Sequence, residues 1–192
     1  IEEAMNDRAV PPLQTVTIRG TRTIQDDVPY CLASPHGTDD EPIWITGQEA
    51  VDQLETWKKY GCLEPSAATR AAAVVQQPSV NVTNKIFCLL GVTSEMGPAY
   101  QLLKLPGATV IGVARSGTRL QHLRDFVEKE SPKSTTLQIP VEGADLLKDL
   151  VAIANWILDI SSQSNDQLVV CPLTYMDGEA FVRVTVAMDA IV

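Results

Sequence analysis

From residue 84 onward, short apolar runs of strand type alternate with amphipathic runs of helix type, and this alternation narrows the folds open to the 192-residue chain. "KIFCLL" and "ATVIGVA" are almost continuously apolar, as a strand covered on both faces must be. The pattern predicts strands at residues 85–90, 109–114, 136–141 and 167–173. Between them, "PAYQLLKL" reads as a short helix with Pro98 in its first turn, and "GTRLQHLRDFVEKE" carries Leu120, Leu123 and Val127 on one stripe. "ADLLKDLVAIANWILDI" is the strongest helical pattern in the chain. In "EAFVRVTVAMDAIV", Val182, Val184 and Val186 alternate like a strand, but the later residues favour a helix, and a helix is expected.

Strands alternating with helices imply an α/β fold, a parallel sheet with helices on both faces. Right-handed crossovers then fix a Rossmann-like topology for residues 81–192. Residues 1–80 read as a small mixed N-terminal extension. "LQTVTIRGTRTI" suits a strand or a hairpin around Gly20, and "SPHGTDDEP" suits a loop. Two helices follow: "ITGQEAVDQLETWKKYG", with Thr46 as a cap, and "EPSAATRAAAVVQQ", with Pro65 in its first turn. The chain begins at Ile1, which fits a processed product or a fragment. It ends inside an apolar pattern, which points to a longer natural chain or to a partner that covers this end.

A net charge of −9 argues against a nucleic-acid surface, and no apolar run is long enough to span a bilayer. Cys31, Cys62, Cys88 and Cys171 lack the paired spacing of a metal site, and His36 and His122 have no ligand-like neighbours. Unpaired cysteines placed in strands fit a reducing compartment, the cytoplasm or an organelle interior.

The turn "GVTSEMGP" holds the functional signal. Gly91 directly follows a strand and Gly97 opens a helix, with Thr93, Ser94, Glu95 and Met96 between them. Such a turn offers hydroxyls and the N–H groups of residues 94–97 to a pyrophosphate, at the positive end of the helix that follows. With Ser94 in place of the middle glycine, it resembles the G-x-x-G-x-x-G turn of the short-chain dehydrogenase/reductase superfamily, in its extended or atypical branch. The resemblance covers residues 84–192, the cofactor-binding half. It implies NADP(H) as cofactor, with Gly91, Thr93, Ser94, Met96 and Gly97 at the pyrophosphate. Arg115, with Ser116 and Arg119 near it, would meet the 2′-phosphate. Asp145 and Leu146 match the family's Asp–Leu that meets the adenine, although Asp145 also suits a helix cap. The family's Tyr-x-x-x-Lys spacing occurs at Tyr100 and Lys104, on the wrong helix, and reads as coincidence. No catalytic residue is assigned. Tyr175, Asp177 and Glu179 stand where open α/β sheets bind substrates, or form a turn and cap.

The sequence therefore supports an NADP(H)-binding oxidoreductase, or the cofactor half of one, acting as a homo-oligomer or within a larger complex. The alternative is a non-catalytic Rossmann-type structural or assembly subunit. A methyltransferase-like domain fits less well, because it would want an acidic residue where Arg115 stands.

Overall fold

Apolar runs with no polar face need cover on both sides, and the sheet built by residues 82–192 supplies it. The computed structural model describes residues 10–23, 28–38, 41, 43–95 and 97–192. Four strands run parallel: β4 (Lys85–Leu90), β5 (Thr109–Val113), β6 (Thr136–Pro140) and β7 (Gln167–Pro172). Each lies within one residue of its predicted bounds. A further strand, β1 (Thr15–Arg19), pairs antiparallel with β6 and gives the order β1-β6-β5-β4-β7. The chain therefore leaves the first parallel strand in one direction and returns on its other side, the arrangement of a Rossmann-like α/β fold.

Successive side chains of β4 point to opposite faces. Ile86, Cys88 and Leu90 meet the helices α5 (Leu150–Ser162) and α6 (Glu179–Asp189), through Ile153, Trp156, Ile157, Val184 and Met188. On the other face Leu89 packs with Val110, Leu137 and Ile139 against α3 (Ala99–Leu103) and α4 (Thr118–Glu130). The stripe expected on α4 is the one buried: Leu120, Leu123 and Val127. The helix expected at the C-terminal end is present as α6. It buries Val184, Ala187 and Met188 and leaves Phe181, Val182 and Val186 exposed.

Three local expectations change. Residues 15–19 belong to the main sheet rather than to an N-terminal hairpin: after Gly20 the chain runs along residues 131–135, with Gly20 N–H bonded to the Thr135 carbonyl at 3.2 Å. The Trp156 indole N–H also donates to the Thr15 hydroxyl at 2.8 Å. Helix α5 starts at Leu150 rather than near Asp145, because Asp145 and Asp149 close a turn of their own ahead of it. Thr46 makes no side-chain cap.

Residues 25–81 form a second compact unit. In it β2 (Cys31–Ala33) pairs antiparallel with β3 (Trp44–Thr46), followed by α1 (Gly47–Lys59) and α2 (Pro65–Val75). Ile45, Ala50, Leu54 and Val75 make its small core. Glu64 caps α2: it accepts from the Ser66 hydroxyl and from the Ala67 N–H, which holds its carboxyl below the ordinary range. Asp39, Asp40 and Pro42 of the expected loop lie outside the described residues. Among the described residues no helix is long and apolar enough to cross a membrane.

Candidate functional site

Loops at the carboxyl ends of parallel strands diverge where the strand order reverses, and they leave a crevice there. Here that point lies between β4 and β7, and the ends of β4, β5, β6 and β7 enclose an open cleft of about 600 Å³. Gly91, Thr93 and Ser94 line it, together with Arg115, Asp145 and Leu146. The structure thus brings together six of the eight residues that the sequence assigns to a cofactor. Gly97 is not on the lining, and Met96 lies outside the described residues.

The turn after β4 is folded tightly on itself. The N–H groups of Gly91 and Val92 both donate to the Val113 carbonyl, at 2.9 and 3.0 Å. The Ser94 N–H donates to the Gly91 carbonyl and the Gly97 N–H to the Ser94 carbonyl, at 2.9 and 3.0 Å. Two of the N–H groups expected to hold a pyrophosphate are therefore committed within the turn. The expectation that a helix opening at Gly97 presents its positive end also needs correction. Helix α3 begins at Ala99, has five residues, and follows Pro98, which has no N–H to offer. So short a helix aligns few peptide dipoles.

Gly91 is required by the protein's own packing. Its φ is +101°, and a Cβ there would stand 2.4 Å from Thr174 Oγ1 and 2.9 Å from the Thr174 nitrogen. Thr174 is itself pinned by its hydroxyl, which donates to the Leu90 carbonyl at 3.0 Å. The glycine that reads in sequence as room for a ligand is occupied from behind by the loop after β7.

The end of β5 is different. Ala144 N–H bonds to the Ala114 carbonyl at 2.8 Å, and Arg115 bridges to Gly143, so the loops after β5 and β6 brace each other. Gly143 permits this approach: its φ is +73°, and a Cβ would lie 2.5 Å from the Ser116 nitrogen. Arg115 is exposed on this braced backbone. Among the described residues none forms an ion pair or hydrogen bond with its guanidinium. Arg119, in the first turn of α4, pairs with Glu95 at 2.8 Å.

Asp145 has structural work of its own. Its Oδ1 accepts from the Leu147 N–H at 2.9 Å, and its N–H donates to Asp149 Oδ2 at 2.8 Å. Leu146 is buried in the core beside the cleft. On the β7 side Tyr175 and Asp177 line the cleft and Glu179 does not. Sequence reasoning missed Thr174, Met176 and Val184, which also line it. Val184 carried a readable signal, the inward stripe of α6, and the other two sit on a loop without periodicity.

Tyr100 and Lys104 are away from the cleft. Tyr100 packs edge-on against Phe126 at 4.9 Å, and the Lys104 ammonium sits 5.9 Å from the centre of the same ring. Cys88 is fully buried in the core between β4 and the helices α5 and α6, where burial first and the neighbouring Cys171 second push its thiol up to about 12. Strand register places the two cysteines on opposite sheet faces. Family models, curated proteins and solved structures were all compared with this chain, and none matches it.

Proposed function

We propose that the cleft binds a phosphate-bearing nucleotide, with NADP(H) the ligand that the sequence favours and Arg115 the residue that holds its adenosine phosphate. The observation that carries this reading is an unpaired guanidinium on a braced backbone, facing a cleft of ligand size at the point where the strand order reverses. A guanidinium matches phosphate oxygens in a fork, and it favours the 2′-phosphate of NADP(H) over the bare ribose of NAD(H). Leu146, Met176 and Val184 supply an apolar side for a base or ring. Bound NADP(H) would supply hydride chemistry, and this chain would contribute anchoring and orientation.

A second reading is favoured by a separate observation: a non-catalytic module that keeps the fold. The N–H groups of Ser94 and Gly97 are spent inside the turn, and the helix after it is too short to present a strong positive end. Calorimetric titration with NADPH and NADH separates the two readings. Binding of NADPH in preference to NADH supports the first, and absence of binding by either at millimolar concentration supports the second.

A further inference from the structure

Arg119, expected beside Arg115 at a phosphate, is held in the structure by a carboxylate. Glu95 stands in the turn after β4 and Arg119 in the first turn of α4, beyond β5. Both line the cleft, and their 2.8 Å ion pair joins the turn after β4 to the first turn of α4. The side chains are 78% and 71% exposed. A pair so exposed gains little from its contact and exchanges partners readily. A phosphate dianion offers a guanidinium more charge and more acceptor oxygens than one carboxylate does.

We propose that Glu95 and Arg119 form an exchangeable ionic latch that a doubly charged phosphate opens, and that moderates the cleft's affinity for phosphate-bearing ligands. In the free protein Glu95 holds Arg119. When a phosphate settles on Arg115, Arg119 leaves Glu95 and joins it, and the Glu95 carboxylate returns to water. A ligand without a phosphate at that end enters with the latch closed and gains nothing from Arg119. The proposal rests on reading the cleft as a phosphate site. It makes Glu95 an attenuating residue: by occupying Arg119 it lowers affinity for a phosphate ligand, which must displace it, and leaves unchanged a ligand that never meets Arg119.

A charge at Glu95 would also weaken anion binding by simple repulsion, so the test must separate exchange from field. Calorimetry with NADPH and NADH on the parent, Glu95→Gln, Arg119→Gln and the double variant forms a closed cycle. Under the latch, Glu95→Gln tightens NADPH by roughly two- to five-fold, the amount an exposed pair can withhold. Loss of Arg119 then costs NADPH a further two- to five-fold or so in the Glu95→Gln background compared with the parent. The coupling fades in molar salt, where the screening length falls to about 3 Å. An equal cost of losing Arg119 in both backgrounds overturns the latch and leaves Glu95 a repulsive charge only.

Inorganic phosphate, followed through the Arg119 Nε–H resonance, separates this proposal from the nucleotide reading. If phosphate shifts that resonance to its position in phosphate-saturated Glu95→Gln while NADPH binds no variant, the latch stands and the nucleotide reading falls. If NADPH binds through Arg115 while the resonance ignores both phosphate and Glu95→Gln, the nucleotide reading stands and the latch falls. If neither phosphate nor NADPH binds, both fall.

Discussion

The turn after β4 and the end of β5 line one cleft, come from adjacent parallel strands and are bonded to each other at Val113, yet they are built for different work. The β4 turn spends its N–H groups on the protein: Gly91 and Val92 bond to Val113 at the end of β5, Ser94 and Gly97 bond within the turn, and its first glycine is filled by Thr174. The end of β5 spends backbone only, on Gly143 and Ala144, and leaves the Arg115 side chain uncommitted. A glycine-rich turn and a following arginine look like two parts of one binding motif in sequence. In the folded chain one part holds the protein together and the other is available to a ligand. Binding energy should therefore come from the β5 wall, and stability from the β4 wall.

The largest effect expected from this contrast is at Gly91. Gly91→Ala forces a side chain into a left-handed backbone and against Thr174. Strain of ~1–3 kcal/mol and overpacking of ~1–3 kcal/mol give a loss of about 2–6 kcal/mol in urea unfolding, without any ligand present. A variant as stable as the parent that binds NADPH less well would reverse the assignment and make the glycine a ligand contact.

The β4 wall also stands on a dry core, which gives it a pH signature. Cys88 keeps its proton in the folded protein up to about 12, against an ordinary 9.0. Above pH 9 the unfolded chain releases a proton that the folded one retains, so the contribution is complete below 9 and is lost as pH rises toward 12. The slope is ~1.4 kcal/mol per pH unit, about 3 kcal/mol by pH 11. Unfolding measured from pH 8 to 11 should show this slope in the parent and a flatter one in Cys88→Ala. Equal slopes would mean that water reaches the thiol in the core between β4 and α5.

The β5 wall is probed by Arg115→Gln. Loss of a charge-assisted contact worth ~1.5–3 kcal/mol should weaken NADPH by roughly ten- to a hundred-fold, leave NADH nearly unchanged and leave stability unchanged. Equal weakening of both cofactors would place the guanidinium on a phosphate that they share.

How far the sequence alone reached follows the same division. The four parallel strands were legible because burial on both faces writes a continuous apolar run, as in "KIFCLL". The pairing of Thr15–Arg19 with β6 was not, since alternation marks a strand without naming its distant partner. Arg115, Asp145 and Leu146 could be placed near the cleft because strand ends converge there by topology. The spent N–H groups, the truncated α3 and the Asp145–Asp149 turn were beyond reading, because each depends on distances of tenths of an ångström between loops. Residue type shows what a side chain can bond, and only the fold shows whether a nearer group has already claimed it.

The smallest effect tests why Gly91 must be glycine. Two causes are present, the left-handed φ and the crowding by Thr174, and they respond differently to a change at Thr174. Thr174→Ala removes the hydroxyl that a Cβ at Gly91 would meet first, at 2.4 Å, while the Thr174 nitrogen stays at 2.9 Å. Alone it costs ~0.5–1.5 kcal/mol, for one hydrogen bond to the Leu90 carbonyl, which keeps the Leu173 N–H as a donor. If crowding matters, Gly91→Ala together with Thr174→Ala is less destabilised than the sum of the two by about 1 kcal/mol, within the range of neighbouring residues that share a contact. Urea unfolding of the four proteins gives the coupling directly. Additivity within ~0.5 kcal/mol would assign the cost to the backbone angle and to the Thr174 backbone, which the substitution leaves in place. The Thr174 hydroxyl would then add nothing to the closure of the β4 turn. Measurable coupling instead makes Thr174 a fixed wedge between β4 and β7, and keeps the β4 wall closed to any pyrophosphate.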